Sequence, residues 1–249
     1  MISRRAFTIA AATLPVLNAA KVWAIEEGAP VAELDDLTYP SFDIINPVNQ
    51  FGRAEPDEQQ KEKAKRIWTA APKGPRPIDV VNYFIDNFNQ ADPEAISQWP
   101  NAEAWNPLVV EFFRSTNYKA ENDLVPWCAA FANWCLKRTN RIASGSAASQ
   151  SFLDPQAYAF TNNPKIGDLA VFTCYNIDTG KSIGLGHVAF VAGIPTATQI
   201  LVAGGNQSND GRSMICRRTY PLGPVRTSRT VNGKRTPVDF KINTYISIT

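Results

Sequence analysis

The sequence predicts an α+β fold in which helices come first and an antiparallel β-sheet follows. Up to about residue 138 the apolar residues recur at helical spacing, whereas from about residue 166 short segments rich in Val, Ile, Phe and Ala are bounded by Gly and Pro. The chain has 249 residues, of which 44% are hydrophobic and 19% charged, and it contains no internal repeat. This is the composition of a globular protein that is long enough to bury a core, and it excludes collagen, long disorder and a disulfide-dense miniprotein.

The first 24 residues resemble an export signal. Arg4 and Arg5, followed by Phe7, are similar to a twin-arginine motif. The apolar stretch that follows is too short and too weakly hydrophobic to span a bilayer, and a small-residue exit predicts cleavage after Ala24. We therefore expect a periplasmic or secreted protein with no stable membrane span. The competing interpretation is a frayed N-terminal helix.

Charge is uninformative once this segment is set aside. The formal net charge of the whole chain is +2, and the segment contributes Arg4, Arg5 and Lys21 without any acid. The remaining chain is close to neutral, so we expect no nucleic-acid partner. Residues 25–58 hold nine acids against one base, Arg53, which indicates an extended arm. The predicted organisation is a signal at 1–24, an acidic arm with one helix at 25–75 and a main domain at 76–249.

The predicted elements follow from periodicity and from breakers. Helices are expected at 57–70, 78–90, 106–113 and 126–138, and strands at 166–174, 187–192, 200–203, 213–220 and 238–248. The Pro-rich run at 72–77 ends the first helix. Residues 217–235 carry six bases and no acid around an Asn232-Gly233 turn signal. They form either a solvated hairpin or a surface for carboxylate-bearing ligands or for the acidic arm.

Cys128 is the first candidate for chemistry. Pro126 favours a helix that starts there, which places Cys128 in the first turn. Backbone N–H groups in a first turn have no intrahelical partner, and the helix dipole is positive there, so both effects favour a thiolate with a lowered pKa. The alternative is a buried structural cysteine, because free Cys is among the most buried residue types.

His187 is the only histidine, so it is the only imidazole that can serve as a base. It precedes an apolar strand, which is also compatible with a buried core histidine. If residues 195–198 close a hairpin, His187 lies opposite Asn206, whose side chain can then orient the ring. A β-bulge would transfer that role to Gln207 or Asn209.

Several blocks in order resemble one protein family. Pro-Trp-Cys-Ala-Ala-Phe-Ala-Asn-Trp-Cys at 126–135 looks like the nucleophile helix of the CHAP amidases, a cysteine- and histidine-dependent amidohydrolase/peptidase family related to NlpC-type hydrolases. Blocks at 144–153, 166–172, 186–193 and 204–209 are similar to those that follow it there. The resemblance covers about residues 105–220 and implies a papain-like core, in which the nucleophile helix packs on the antiparallel sheet.

The resemblance also implies an activity. We expect an exported cysteine hydrolase that cleaves amide bonds in peptidoglycan peptides, either as a muramoyl-alanine amidase or as an endopeptidase, with Cys128, His187 and Asn206 as the catalytic residues. Two alternatives remain: a transacylase on the same site, and a non-catalytic module that binds the cell wall. Residues 175–185 depart from the family pattern as a longer loop before the histidine.

No metal or other cofactor is expected. The chain has one His and no Cys-x-x-Cys, which does not fit the ligand spacing of a zinc site. Cys174 and Cys216 both fall on predicted strands, so a disulfide between them is a further hypothesis for an oxidising compartment. The partners we expect are peptidoglycan or cell-wall peptides; the oligomeric state cannot be predicted.

Overall fold

A computed structural model describes residues 54–98, 104–209, 212–231 and 234–248. The predicted export signal, the acidic arm up to residue 53 and the Asn232-Gly233 turn lie outside these ranges. Among the described residues, no helix combines the length and the apolar character that a membrane span requires.

Four α-helices occupy the first part of the described chain. Their bounds are α1 Glu58–Ala70, α2 Pro77–Phe88, α3 Pro107–Phe112 and α4 Cys128–Arg138. The Asp57 side chain caps α1 by accepting from the Gln60 N–H, and Asn106 caps α3 by accepting from the Leu108 N–H. Pro occupies an N-terminal position in both α2 and α3. The predicted helices therefore exist, and capping or proline residues set the starts of these three.

Seven strands form one antiparallel sheet. They are β1 Phe160–Thr161, β2 Leu169–Asn176, β3 Ser182–Val191, β4 Gln199–Asn209, β5 Arg212–Pro221, β6 Val225–Val231 and β7 Lys234–Ile246. The order across the sheet is β1-β7-β2-β3-β4-β5, and β6 pairs with β7. This confirms the predicted α+β class, with helices before an antiparallel sheet. The expected loop at 175–185 is shorter than predicted, because β3 already begins at Ser182.

The two faces of the sheet are covered differently. On one face the helices pack against alternate residues of the strands, including Val188 and Phe190 of β3. The other face holds a second apolar cluster that contains Ala189, Val191 and Tyr220. Because successive residues of a strand point to opposite faces, alternate residues of β2 and β3 belong to different clusters. The nucleophile helix thus packs on the sheet as the resemblance implies.

Helix α4 begins two residues later than predicted. Pro126 precedes the helix, Trp127 is its N-cap residue and Cys128 is its first residue. Nearly every side chain of α4 is buried, so tertiary packing holds this helix in place. At its other end, the Arg138 guanidinium donates to the carbonyls of Thr69, in the last turn of α1, and of Ala71 and Pro72, just past it.

The hypothesis of a Cys174–Cys216 disulfide is wrong in this structure, where all four cysteines are free. Cys174 belongs to the second cluster and Cys216 to the first, so the sheet separates their side chains. The basic segment is also more than a solvated hairpin. Arg217 donates to Asp86 and Asn82 of α2, and Arg226 pairs with Asp239 of β7.

Candidate active site

The start of α4 places Cys128 against the sheet. The thiol is 3% exposed, and the backbone N–H groups of Cys128 and Ala129 point towards its sulfur. Two further groups from the sheet act on the sulfur and favour its charged form, which lowers the pKa of the thiol: the backbone N–H of Val188 on β3 and the side chain of Asn206 on β4. The predicted position of Cys128 in the first helical turn is confirmed.

The sheet is split at this point. Strands β3 and β4 are paired at Phe190–Ala203 and Val191–Val202, which is the predicted register. The Ala192 N–H bonds to β4, so Val188, four residues earlier, also directs its N–H towards β4. A continued ladder would carry that N–H to Gly205, but the pairing ends at Phe190 and the N–H acts on the Cys128 sulfur, whose charged form it favours. The Cys128 thiol therefore lies in the gap where the two strands separate.

A bulge in β4 explains why the strands separate. The pairing of β4 with β5 is irregular between Gly204 and Gln207, and Asn206 adopts a left-handed conformation with φ 58°. Asn tolerates this conformation better than most residues. At Gly205, an added Cβ would lie 2.3 Å from the Trp127 ring, so only glycine fits where the N-cap residue of α4 packs on the strand.

The bulge turns Asn206 towards the thiol. Ser213 on β5 donates from its hydroxyl to Asn206 Oδ1 at 2.7 Å, and the Asn206 side chain lowers the pKa of the Cys128 thiol by favouring its charged form. The structure gives Asn206 no hydrogen bond to His187 among the described residues, so its expected role in orienting the ring stays a prediction. That prediction assumed a regular hairpin, and the structure has a bulge at that place.

Gln207 is the side chain that acts on the His187 ring. It is fully buried and held by a bond from its Nε2 to the Cys216 carbonyl at 2.6 Å, and it accepts from the Tyr220 hydroxyl at 3.4 Å. Its interaction with the ring favours the charged imidazolium. Because His187 Nε2 has no hydrogen bond of ordinary geometry to the described residues, the contact with Gln207 is loose. The predicted alternative for a bulge, in which Gln207 takes the third position, matches this arrangement.

His187 projects from the face of β3 opposite the helices. Its ring contacts Phe172 at 6.0 Å and Tyr220 at 6.4 Å between centroids, both in the second apolar cluster. Cys128 approaches from the helical face and contacts Val188, the residue after the histidine. The Cys128 thiol and the His187 ring thus come from opposite faces of the sheet, at the level where β3 and β4 separate.

Burial dominates the electrostatics of both groups. It raises the pKa of the Cys128 thiol to about 11, against the lowering effect of its hydrogen-bond donors. Burial also lowers the pKa of His187 to about 4, although the Gln207 side chain acts in the opposite direction. The predicted lowering of the thiol pKa is therefore wrong for this state, because desolvation of the charge outweighs the helix N-terminus. Near pH 7 the site holds a neutral thiol and a neutral imidazole.

Access to Cys128 is through a cavity of about 330 Å³. Apolar and small residues form its walls, among them Val125, Leu185 and Gly186. Tyr118 also lines the cavity, and its side chain is 47% exposed. Among the residues that the structure describes, no charged side chain lines the cavity. It is therefore suited to an uncharged, compact part of a substrate placed over the sulfur.

The polar connection after α4 forms one wall of this cavity. Asn133 of α4 donates to Ser146 O and accepts from the Gly145 N–H, both at 2.9 Å. Gln150 donates to Phe172 O at 2.9 Å and accepts from the Thr173 hydroxyl at 2.7 Å. The connection is therefore fastened to α4 on one side and to β2 on the other, so the wall is fixed by the elements that carry the active site.

Sequence reasoning did not identify Ser213, Gln150 or Tyr220 as parts of the site. Ser213 and Tyr220 lie on β5, outside the sequence blocks that contain Cys128 and His187, so no local motif indicates their role. The Gly204-Gly205 pair was the available signal for the bulge, because glycines inside a strand often mark one. Within the described ranges, no group of three or more His, Cys, Asp and Glu side chains could hold a metal ion.

In a comparison with protein families, residues 118–206 match the model of the CHAP domain. This segment extends from the approach to α4 through Asn206, so it contains both Cys128 and His187. No curated protein matches the chain, and no solved structure matches it. Helices α1, α2 and α3 and the strands from β5 onward lie outside the matched segment.

Proposed function

Since the chain belongs to a CHAP-type family through residues 118–206, we propose that it is an exported cysteine hydrolase that cleaves amide bonds in peptidoglycan. A CHAP domain indicates a hydrolase of the amidase or peptidase kind that acts on the cell wall. The observation that carries the proposal is the placement of the Cys128 sulfur in the split sheet, beside the strand of the lone histidine and at the floor of an open cavity.

His187 acts as the general base in the first step. Burial keeps its ring neutral near pH 7, so it can accept the thiol proton when the substrate carbonyl lies over Cys128. The sulfur adds to the carbonyl carbon, and the carbonyl π electrons move to its oxygen. His187 then gives the proton to the amine nitrogen, the carbon–nitrogen bond breaks, and a thioester with Cys128 remains.

Three donors surround the oxygen that becomes negative. The N–H groups of Cys128 and Ala129 at the start of α4 and the NH₂ group of Asn206 converge on the sulfur, so they are placed to bind an oxyanion beside it. In this proposal Asn206 is a donor to the reacting atoms, and Gln207 is the residue that positions His187. Water then attacks the thioester with His187 as base, which releases the acid and restores the thiol.

The test is the product of the reaction. The purified full-length chain is incubated with purified peptidoglycan, and the soluble products are identified by mass spectrometry. We expect new fragments that differ from the substrate by one water per cut, and none with the Cys128→Ala variant. Absence of cleavage by a folded wild-type protein would contradict the proposal.

An acyl transferase would use the same thioester, so the experiment needs a second arm. Cleavage in ¹⁸O-labelled water should place one label in each new carboxyl group. If an added amine captures the acyl group and the label is missing, the chain is a transferase on the proposed site and not a hydrolase.

A further inference from the structure

A second concave surface adjoins the catalytic cavity. It is a groove of about 730 Å³ between α1 on one side and α3 with the following turn on the other. Phe113 and Tyr118 line both the groove and the catalytic cavity, and their rings pack with centroids 5.8 Å apart. The two surfaces are therefore separated only by this aromatic pair.

Aromatic rings are the first distinctive feature of the groove. Trp68 of α1 and Trp105 just before α3 are both partly exposed and line it, and Tyr118 stands at its junction with the cavity. Exposed ring faces carry negative electrostatic potential and attract the weakly positive C–H groups on one face of a pyranose sugar. An aromatic lining of this kind suits a sugar better than a fully polar ligand.

Balanced charge is the second feature. Three of the four bases that line the groove are ion-paired to acids that also line it: Lys61 with Glu58 at 3.0 Å, Lys65 with Glu62 at 3.5 Å and Arg114 with Glu111 at 3.1 Å. Such pairs offer donors and acceptors to neutral hydroxyl and amide groups, and they leave little net charge to attract an anionic polymer.

We propose that this groove binds sugar units of the peptidoglycan glycan, and that the amide bond cleaved is the one that joins sugar to peptide. This inference rests on the proposed function, because it takes Cys128 as the place of cleavage and positions the sugar relative to it. With the sugar beyond Tyr118, the first amide that reaches the uncharged cavity is the sugar–peptide bond. Cross-links between peptides lie further from the glycan. Helices α1 and α3, which form the groove, precede residue 118 and lie outside the segment that matches the family.

Binding can be measured apart from catalysis. The full-length Cys128→Ala variant is titrated with a neutral tetramer of N-acetylglucosamine, and tryptophan fluorescence or calorimetry gives the affinity. We expect saturable binding that weakens at least tenfold in Trp105→Ala and in Tyr118→Ala. The matched control is Phe160→Ala, an aromatic that is 44% exposed on β1 and lies outside the groove, which should bind as tightly as its parent.

Circular dichroism confirms folding before affinities are compared. If Trp105→Ala does not fold, the Tyr118→Ala variant alone tests the sugar site. Unchanged affinity in a folded variant of either residue overturns the sugar site, as does absence of binding by the parent. The bond is tested separately with wild-type protein. Glycan ending in a free lactyl carboxyl supports the inference, whereas cleavage confined to peptide cross-links overturns it and leaves the proposed hydrolase intact.

Discussion

The backbone N–H of Val188 acts on the sulfur of Cys128 and favours its charged form, so the thiol lies where the neighbouring strand would otherwise pair. In a regular sheet this N–H would pair with β4. The bulge at Asn206 removes that partner and presents a side-chain amide in its place. The same local irregularity therefore opens the sheet to the helix and supplies a donor at the reacting atom.

Replacing the nucleophile should abolish turnover without unfolding the protein. We expect no detectable cleavage by Cys128→Ala and at most a trace by Cys128→Ser, since an alkoxide is much harder to form than a thiolate. The measurement is release of soluble peptidoglycan fragments, with circular dichroism as the check on folding. Activity of Cys128→Ala at the wild-type level would remove the mechanism.

Asn206 and Gln207 should have separable effects. Asn206→Gly keeps the left-handed backbone while it removes the donor, and we expect kcat to fall by roughly 10²- to 10³-fold. The pH at which activity is lost on the acid side should not change. Gln207→Met, of similar shape, should lower kcat by roughly 10- to 100-fold and move that acid limb to lower pH, because Gln207 supports the charged ring.

The comparison is made from pH–rate profiles of kcat/KM. If Asn206→Gly moves the acid limb and Gln207→Met does not, then Asn206 orients the base and the roles assigned here are reversed. Ser213→Ala, which frees the Asn206 amide to rotate, should show a weaker form of the Asn206→Gly defect.

The thiol should respond to iodoacetamide as a neutral group in the resting protein. With its pKa near 11, alkylation of Cys128 should be slow at pH 6 and should accelerate about tenfold per unit up to pH 10. Mass spectrometry of labelled peptides gives the site. Cys135, Cys174 and Cys216 are buried and do not line the cavity, so they serve as internal controls. Rapid labelling of Cys128 at pH 6 would show that a thiolate forms without substrate.

Stability should depend on pH through His187. In the folded protein the pKa of His187 is about 4, below the ordinary value of 6.5. Between these two pH values His187 is therefore protonated in the unfolded chain and neutral in the folded chain. The free energy of unfolding should therefore fall as pH drops from about 6.5 to about 4. Urea titrations at several pH values measure it. His187→Gln should fall less over this window, and an equal fall in both proteins would contradict the lowered pKa.

Gly205 should be irreplaceable where other glycines are not. Because an added Cβ would lie 2.3 Å from the Trp127 ring, Gly205→Ala should lower the free energy of unfolding by about 1–3 kcal/mol. Gly223→Ala is the control, since no atom lies within 4 Å of its added Cβ. The comparison is a pair of urea denaturation curves. Equal midpoints would mean that the helix moves away from β4 at little cost.

The sequence was informative where a single local rule decides the structure. Periodicity and the Pro-rich breaker predict α1 and α2, and the hairpin register is correct at Val191 and Val202. It was less informative where the structure depends on contacts between segments that are far apart in the chain. Whether Asn206 meets His187 or Cys128 depends on how Gly205 packs on Trp127, a contact between residues far apart in the chain that no periodicity records.

The pKa of Cys128 illustrates the same limit. A helix N-terminus can be predicted from Pro126 and Cys128, and it favours the thiolate. Burial opposes it, and burial depends on the fit of α4 into the split sheet. The sign of the shift was therefore decided by packing, which the sequence around Cys128 does not reveal.

The bonds from Arg138 to the end of α1 affect how the protein can be studied in pieces. A recombinant fragment cut at residue 76 or at residue 118 would lose the three carbonyl acceptors, while the guanidinium would still lie on the Trp134 ring at 4.9 Å. The last turn of α4 would then lose its hydrogen bonds to the end of α1. An inactive fragment would report this loss, and only a protein that begins ahead of Glu58 can decide whether the chemistry is present.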